Sequence, residues 1–278
     1  MLLLVDLDGV LYRGSAPVSG MAALMSHRES VGDIIVYVTN NSRWHRSEYL
    51  ERLHGMGAPA REDRIVSSAR GTALAVAALP QPPRRTMVLG GPGLERELSD
   101  VGLRTVAATA AGLLTKPDAV VVGVDFDLDY ERLSAAASAV RSGAYFAATN
   151  RDPVFPVADG LMAGAGSVVA AVAVAAGREP DLVIGKPEPG LMLEAARVAG
   201  VPATDALVIG DGLRTDVLGA HAVGARCVLM LTGVSTREMA EALPAQERPT
   251  YIATDAAALA GLLDELAADR LSAGPLDR

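Results

Sequence analysis

Short apolar runs alternate with amphipathic stretches along nearly the whole of this 278-residue chain. Such runs are typical of strands buried on both faces of a parallel sheet, and the stretches between them have helical spacing. The predicted strands are Ile34–Val38, Met87–Leu89, Ala119–Val122, Tyr145–Ala148, Ala206–Ile209 and Arg226–Met230. The predicted helices are Ser47–Leu53, Gly93–Val101, Tyr130–Val140, Gly166–Ala176, Gly190–Val198 and Thr215–Val223. The alternation predicts βαβ units and therefore an α/β fold with a parallel sheet.

Two proline-marked segments divide this pattern. One is the cluster at 79–85, and the other is Arg178-Glu179-Pro180. The stretch between them holds enough strand and helix patterns for a small domain of its own. We therefore predict a doubly wound parallel-sheet (Rossmann-like) core, made of residues 1–82 and 181–278, with a smaller α/β cap domain inserted at 83–180. The alternative is one continuous doubly wound sheet.

Charge and cysteine content exclude several classes of protein. A net charge of −8 argues against a nucleic-acid partner. Cys227 is the single cysteine, so no disulfide framework can form, and a buried inert thiol is expected. The apolar stretch Val168–Ala176 is too short to span a membrane, and the first strand begins at the N-terminus without a signal peptide. We expect a cytoplasmic protein with no membrane partner.

The run Leu3–Leu11 is an apolar strand that ends in Asp6, Asp8 and Gly9. Alternation along the strand places Asp6 and Asp8 on the same side. In parallel sheets, ligands bind beyond the carboxyl ends of the strands. One carboxylate there can attack as a nucleophile or hold a cation, and the second can act as general acid and base. A simple Asp-x-Asp-Gly turn is the alternative.

A second strand ends in Thr39, Asn40 and Asn41, followed by Ser42 and Arg43. The hydroxyl, the amide and the N–H groups of a helix start can hold a phosphate. Helix capping by Asn41 or Ser42 explains the same residues without a ligand. The sequence pattern leaves both readings open.

Two further strand ends carry charged side chains. Lys186 follows a strand and precedes Pro187, so it can neutralise a phosphoryl group, or it is an ordinary loop lysine. Asp211 ends another strand and Asp216 follows near a helix start, which suits Mg²⁺, or Asp216 caps the helix. Four such strand ends at one sheet edge are far less expected by chance than any one of them.

These motifs resemble those of the haloacid dehalogenase superfamily of aspartate-nucleophile phosphatases. The matching positions are Asp6-Leu7-Asp8-Gly9-Val10-Leu11, Thr39, Lys186, and Gly210-Asp211 with Asp216. The branch that is most similar is the para-nitrophenyl phosphatase group, which includes phosphoglycolate and glycerol-3-phosphate phosphatases. Its further signs are Tyr12-Arg13-Gly14, Gly123-Val124-Asp125, Ala148-Thr149-Asn150-Arg151-Asp152 and Gly185-Lys186-Pro187. Gly212 departs from the branch, where a larger polar residue is common, and so does Phe155, where some relatives have a polar residue.

The resemblance implies a role for each of these residues. Asp6 is the nucleophile and Asp8 the acid and base, while Mg²⁺ is held by Asp6, Asp8, Asp211 and Asp216. Thr39, Asn40, Asn41 and Lys186 hold the phosphate. Specificity is expected from Arg43, Asp125, Arg151 and Phe155, with the loop at Asn150–Pro156 facing Asp6. The implied substrate is a small phosphorylated metabolite of the sugar, glycerol or glycolate phosphate type, and a homodimer through the cap is implied by analogy.

Other functions stay open at this point. A phosphomutase or phosphotransferase would use the same Asp6 and differ only in the acceptor. A non-catalytic regulator that binds sugar phosphates would keep the fold and lose turnover. A dehalogenase does not need Asp8, and the Gly-x-Gly-x-x-Gly turn of a nicotinamide-binding domain is absent after the first strand.

Overall fold

The computed structural model describes residues 1–157 and 160–272. The strands are β1 (Leu2–Asp6), β2 (Tyr12–Arg13), β3 (Ala16–Pro17), β4 (Ile34–Thr39), β5 (Ile65–Ser67), β6 (Thr86–Leu89), β7 (Thr105–Ala107), β8 (Ala119–Val122), β9 (Tyr145–Ala148), β10 (Val154–Val157), β11 (Gly160–Ala163), β12 (Leu182–Val183), β13 (Ala206–Gly210), β14 (Arg226–Met230) and β15 (Tyr251–Ala253). The α-helices are α1 (Met21–Ser30), α2 (Arg46–Gly55), α3 (Ser68–Ala77), α4 (Pro92–Asp100), α5 (Ala110–Leu114), α6 (Tyr130–Arg141), α7 (Ala165–Ala176), α8 (Gly190–Ala199), α9 (Leu218–Ala222), α10 (Arg237–Glu241) and α11 (Ala256–Ser272).

The larger sheet is the core of the fold. Within the described residues it has six parallel strands in the order β15-β14-β13-β1-β4-β5. Strand β1 lies in the middle, and its successive side chains enter different cores. Leu3 and Val5 pack on one face, and Leu2 and Leu4 on the other. A strand that is covered on both faces must be apolar at every position, which explains the continuous apolar run in the sequence.

The smaller sheet belongs to the cap. Over the part of the chain that the structure describes, its strands are parallel and lie in the order β12-β9-β8-β6-β7. Helices α6 and α7 cover one face with alanine and valine side chains. On the other face, Leu94 and Leu98 of α4 pack with Ala69 and Ala73 of α3. The cap therefore packs against the core through an apolar contact between α4 and α3.

The predicted α/β fold with a parallel-sheet core and a smaller cap is confirmed. The exact division at residues 82 and 180 stays a prediction, and one strand departs from it. Leu182 and Val183 form β12, which pairs with β9 of the smaller sheet although the sequence boundary assigns it to the core. Pro180 marks a turn, and the chain adds one more strand to the cap before it returns to the core.

The predicted helix Thr215–Val223 is split. Leu213–Val217 forms a π-helical turn, and α9 begins only at Leu218. Such wide turns are frequent at functional sites. In the described residues, no helix is both long and apolar enough to cross a membrane. Cys227 is buried and free, as the sequence suggests.

Candidate active site

Neighbouring strands of the larger sheet bring the predicted motifs to one edge. Strand β1 lies between β13 and β4, so Asp6, Thr39 and the loop that begins at Asp211 meet at their carboxyl ends. Lys186 comes to this edge from the segment that follows β12 of the smaller sheet. The four predicted segments therefore converge, but the prediction that all four strands belong to one sheet is wrong for Lys186, whose strand β12 is part of the smaller sheet.

A buried lysine joins two carboxylates at the centre of the site. The ammonium of Lys186 donates to Oδ1 of Asp6 at 2.6 Å and to Oδ1 of Asp216 at 2.7 Å. All three side chains are almost fully buried. A loop lysine on the surface is thus excluded, because burial of an ammonium is tolerated only with partners of this kind.

Asp216 is held from inside its own turn. Its Oδ2 accepts hydrogen bonds from the backbone N–H of Gly212 at 3.0 Å and from the hydroxyl of Thr215 at 3.3 Å. Asp216 lies within the π-helical turn, so it closes that turn and does not cap α9. The other carboxylate oxygen is left to orient Lys186.

The carboxylate of Asp211 is in close contact with the backbone of Gly9, Gly233 and Val234. Its Oδ2 accepts from the N–H of Val234 at 2.8 Å. A Cβ on Gly9 or Gly233 would collide with the Asp211 carboxylate. Gly9 also has a φ of +79°, which disfavours other residues at that position. The glycine of the first motif is therefore required by the fourth motif, which lies some two hundred residues further on.

The site holds more negative than positive charge. Asp6, Asp211 and Asp216 have ligand atoms within 4.8 Å of one another. Burial raises the pKa of Asp6 well above its usual range, Lys186 opposes this, and Asp216 and Asp211 add to it. Burial and the charge of Asp216 raise the pKa of Asp211 to about 6. Three carboxylates facing one ammonium call for a further cation.

Asp8 lies in a different electrostatic environment. Burial raises its pKa, and the charges of Arg52 and Lys186 lower it in part. A raised pKa favours the protonated form, which a general acid needs. Asp6 and Asp8 differ in the charges around them: Asp6 also faces Asp211 and Asp216, whereas Arg52 and Lys186 are the charges that act on Asp8.

The loop after β4 is organised around Thr39 and Asn41. The hydroxyl of Thr39 accepts from the N–H of Asn41 at 3.2 Å, and the side-chain oxygen of Asn41 accepts from the N–H of Arg43 at 3.0 Å. Neither Asn41 nor Ser42 caps α2, because that helix begins at Arg46 and its cap is His45. The alternative of helix capping by Asn41 or Ser42 is therefore wrong, whereas the predicted helix Ser47–Leu53 lies within α2.

The Asn40 amide, expected to bind phosphate, is instead engaged with protein groups. Its Oδ1 accepts from the N–H of Lys186 at 2.8 Å, and its Nδ2 donates to the carbonyl of Lys186 at 2.9 Å. Nδ2 also donates to Oδ2 of Asp152 at 2.8 Å. Both hydrogens of the amide are therefore used, and the side chain orients Lys186.

Besides the bond from Asn40 to Asp152, the cap makes further hydrogen bonds to this same loop. Asn150 donates from Nδ2 to the carbonyl of Asn40 at 2.7 Å. The N–H of Val124 donates to the hydroxyl of Ser42 at 3.2 Å. The strand ends of the smaller sheet thus meet the strand ends of the larger one, and the site lies where the two domains join.

The four predicted specificity residues lie in different surroundings. The guanidinium of Arg43 lies 4.5 Å from the ring centroid of Trp44 and 4.4 Å from that of Phe126. The half-buried ring of Phe155 meets Phe126 edge to face at 6.0 Å. These side chains form a continuous wall, which we call the aromatic wall: Arg43, Trp44, Phe126 and Phe155.

The other two predicted specificity residues are bonded to their own neighbours in the cap. Asp125 is buried and accepts from Arg132 at 2.5 Å. Arg151 is exposed and pairs with Glu179 at 2.9 Å. Their predicted contact with substrate stays a prediction that the structure does not support.

Sequence reasoning missed Trp44 and Phe126 as parts of the site, and it gave Asp152 no role of its own although Asp152 lies in the loop Asn150–Pro156 that was expected to face Asp6. A usable signal was present for Asp152: Thr149-Asn150 ends a strand as Thr39-Asn40 does, and a carboxylate follows two residues on. For Trp44 and Phe126 the sequence offered no pattern, because their contact joins segments from two domains.

The residues present fit a magnesium ion. The three carboxylates supply hard oxygen ligands, which Mg²⁺ prefers, and they leave an unbalanced negative charge. Asp6 and Asp211 would hold the ion, with Asp216 near it. A structural role alone would not require three buried carboxylates around one lysine.

Two family models match the chain. Residues 3–104 match the model described as haloacid dehalogenase-like hydrolase, and residues 183–259 match one described as HAD-hydrolase-like. The residues between these two matched ranges lie mostly in the cap. The two models thus cover both halves of the core and each of the four predicted motifs.

Named relatives cover most of the chain. A D-glycerol 3-phosphate phosphatase of Mycobacterium tuberculosis is 38% identical over 253 residues, which is 91% of this chain and 69% of that protein. An acid sugar phosphatase of Staphylococcus saprophyticus is 36% identical over 256 residues, covering 91% of this chain and 93% of the other. The crystal structure of a Mycobacterium tuberculosis glycerol phosphate phosphatase in complex with magnesium superposes with a TM-score of 0.84, at 37% identity, over 93% of this chain and 75% of that one.

Proposed function

This chain belongs to the haloacid dehalogenase-like hydrolase family and is a phosphatase, and we propose that it hydrolyses small phosphate monoesters of the glycerol phosphate or sugar phosphate type with Mg²⁺. The observation that carries the proposal is the buried cluster of Asp6, Asp211 and Asp216 around Lys186. The names of the two relatives give the substrate class, and the magnesium-bound relative supports the predicted cofactor.

In the proposed reaction, a carboxylate oxygen of Asp6 attacks phosphorus and the bond to the leaving oxygen breaks. Asp8 gives its proton to that oxygen, which leaves as an alcohol. The aspartyl-phosphate is then attacked by water, whose proton returns to Asp8, and phosphate and free Asp6 result. Lys186 and the loop at Thr39 stabilise the charge of the phosphoryl oxygens. Magnesium, when bound, supplies electrostatic stabilisation of the same oxygens.

The proposal is tested by incubating the purified protein with Mg²⁺ and a panel of phosphate esters. Glycerol 3-phosphate, hexose phosphates, phosphoglycolate and p-nitrophenyl phosphate are the probes, and orthophosphate release is measured. We expect the highest kcat/KM with a polyol or sugar ester. No release from any ester would contradict the proposal, and transfer to an added sugar phosphate with little release would identify a phosphotransferase.

The aromatic wall supports a role of Phe155 in substrate choice. Its ring is half-buried and lies against Phe126 on the cap side of the loop after β4. Phe155→Ala should change relative kcat/KM among the esters by about ten- to two-hundred-fold, while p-nitrophenyl phosphate hydrolysis stays nearly intact. A uniform loss on every ester, or no change, would remove Phe155 from the specificity set.

The partner is proposed to be a small phosphorylated metabolite, and a homodimer through the cap stays a prediction. Exposed apolar side chains of the cap hairpin are available for such a contact, among them Leu161 and Met162 of β11. Light scattering during size-exclusion chromatography would give the mass. A cytoplasmic location likewise stays a prediction.

A further inference from the structure

Asp152 is a half-buried carboxylate whose Oδ2 accepts a hydrogen bond from the amide of Asn40 at 2.8 Å. It lies on the segment after β9, and its own N–H donates to the side chain of Asn150 at 3.0 Å. Burial raises the pKa of Asp152, Asn40 and the positive charge of Lys186 lower it in part, and Asp216 raises it. The cap thus places a carboxylate beside the phosphate site.

The Asn40 amide lies between Asp152 and Lys186. It bonds both the N–H and the carbonyl of Lys186, at 2.8 and 2.9 Å, in the manner of a neighbouring strand. Of the two Nδ2 hydrogens, one is used by the Lys186 carbonyl and the other by Asp152. The bond to Asp152 therefore reinforces the direction that the two bonds to Lys186 set, because the reversed amide would also point its oxygen at a carboxylate.

The Lys186 backbone has little freedom outside this contact. A Cβ on Gly185 would press against Asn150 and the side chain of Asn40, so the chain passes through a narrow opening between the two. From there the ammonium reaches Asp6 at 2.6 Å and Asp216 at 2.7 Å. The position of the ammonium thus depends on a backbone that Asn40 holds.

We propose that Asp152 is a positioning residue of the phosphatase reaction. It holds Lys186 in position through the Asn40 amide, and it thereby couples the position of the cap to the binding of the phosphoryl group by Lys186. The proposal rests on the proposed function. This role differs from a specificity role, since Lys186 binds the phosphoryl group, which all phosphate esters share. A cap that is displaced from the core would release the amide and with it the lysine.

Two variants separate the hydrogen bond from the charge. Asp152→Ala removes the acceptor and should lower kcat/KM by roughly tenfold to a hundredfold, by the same factor for every ester of the panel. Asp152→Asn keeps an acceptor oxygen and should stay within about threefold of the wild type. A loss that differs between esters, or an equal loss in both variants, would overturn the proposal.

The matched control is Asp118→Ala. Asp118 also belongs to the cap and accepts from the backbone N–H of Arg84 at 2.8 Å, but it lies before β8, at the opposite end of the smaller sheet. It should cost thermal stability without changing kcat/KM. If Asp118→Ala lowers kcat/KM as much as Asp152→Ala does, the effect is general loosening of the cap and the proposal fails.

A double-mutant cycle tests the route through the amide. If Asp152 acts through Asn40, the double variant Asn40→Ala with Asp152→Ala should lose no more kcat/KM than Asn40→Ala alone. Losses that multiply would show that Asp152 acts by another route and would overturn the proposal.

Orthophosphate binding gives a readout that does not need turnover. Calorimetric titration of orthophosphate into each protein with Mg²⁺ present should show weaker binding for Asp152→Ala than for the wild type and Asp152→Asn. Equal affinities would contradict the positioning role. A wild type that binds orthophosphate but hydrolyses no ester would instead contradict the proposed function, so the two failures are distinguishable.

Discussion

Among the residues that the structure describes, two groups of side chains have the composition of a metal site, and their surroundings suit them to different tasks. Asp6, Asp211 and Asp216 form one, which we call the core cluster. His45, Glu97 and Asp100 form the other, which we call the joint cluster. In each, the potential ligand atoms lie within 4.8 Å of one another. In the joint cluster, His45 is the N-cap residue of α2 in the core, and Glu97 and Asp100 belong to α4 of the cap domain. The cluster therefore links the core to the cap domain.

The surrounding cations distinguish the two clusters. Within the described residues, the core cluster is bonded to one ammonium, that of Lys186. In the joint cluster, Arg46 bonds both Glu97 and Asp100, and Arg70 approaches Glu97 at 3.6 Å. The guanidinium groups form ion pairs with carboxylate oxygens that would otherwise be available to a metal ion.

A count of carboxylates and histidines thus does not identify a metal site. The core cluster keeps net negative charge at the edge of a sheet, where it favours a divalent cation. The carboxylates of the joint cluster are neutralised by Arg46 and Arg70, so this cluster is suited to holding two domains together. We expect removal of one carboxylate to affect chemistry in the first cluster and stability in the second.

The largest effect is expected at Asp6. Asp6→Asn removes the nucleophile, because an amide does not attack phosphorus, and should lower kcat by about three orders of magnitude or more. The measurement is orthophosphate release with p-nitrophenyl phosphate at saturating Mg²⁺. Circular dichroism should show an unchanged fold. Residual hydrolysis above a few per cent would exclude Asp6 as the nucleophile.

In the joint cluster, Glu97→Gln should reduce the free energy of unfolding by about 3 kcal/mol, because Glu97 is fully buried and Arg46 loses the most buried of its charged partners. Chemical denaturation measures this, and kcat/KM below the transition should match the wild type. Glu95→Gln, on the exposed face of the same helix, is the control. A loss of Mg²⁺-dependent activity without a loss of stability would reverse the assignment of the two clusters.

Removal of Asp211 tests the metal directly. Asp211→Asn should raise the Mg²⁺ concentration needed for half-maximal activity by at least roughly tenfold, since one charged oxygen ligand is lost. Titration of Mg²⁺ after treatment with a chelator gives this value, and Glu97→Gln should keep the wild-type requirement. An unchanged requirement in Asp211→Asn would mean that Asp211 is not a ligand.

The smallest effect concerns pH. The pKa of Asp211 is about 6 in the folded, metal-free protein and near the ordinary aspartate value when unfolded. The folded state therefore binds the proton of Asp211 more tightly, so the contribution of Asp211 to metal-free stability is greatest at low pH and is lost as pH rises through about 6. Mg²⁺ binding needs the ionised form and should strengthen over the same interval. Thermal melts with and without Mg²⁺ between pH 5 and 7 measure both trends, and a metal-free Tm that rises with pH would contradict the charge surplus.

The sequence predicted the core of this site better than its surroundings. The positions of Asp6, Thr39 and Asp211 are predictable because each lies at the end of a strand-like run, and parallel strands of one sheet bring their carboxyl ends to one edge. Lys186 reaches this edge from the smaller sheet, which the strand pattern does not indicate. Asn40 was assigned to phosphate because a strand-end amide is a good phosphate ligand in isolation. Its actual partners lie more than a hundred residues away along the chain, where no local pattern can indicate them.

The repeated dipeptide Thr39-Asn40 and Thr149-Asn150 shows the same limit. The sequence contains both copies, and each one ends a strand. Only the folded chain brings them together, with Asn150 donating to the carbonyl of Asn40. The two copies of the dipeptide thus take part in a contact between the two domains.

By itself, the sequence determined the α/β class, the two-domain pattern and the four strand-end motifs, because these depend on apolar periodicity and on residue types at fixed places along a strand. The tertiary structure decided which carboxylates stay unneutralised, which cation each one meets and which residues join the cap to the core. Those outcomes depend on distances between segments that are remote in sequence, and the energy of a buried charge is set by such distances and by the exclusion of water.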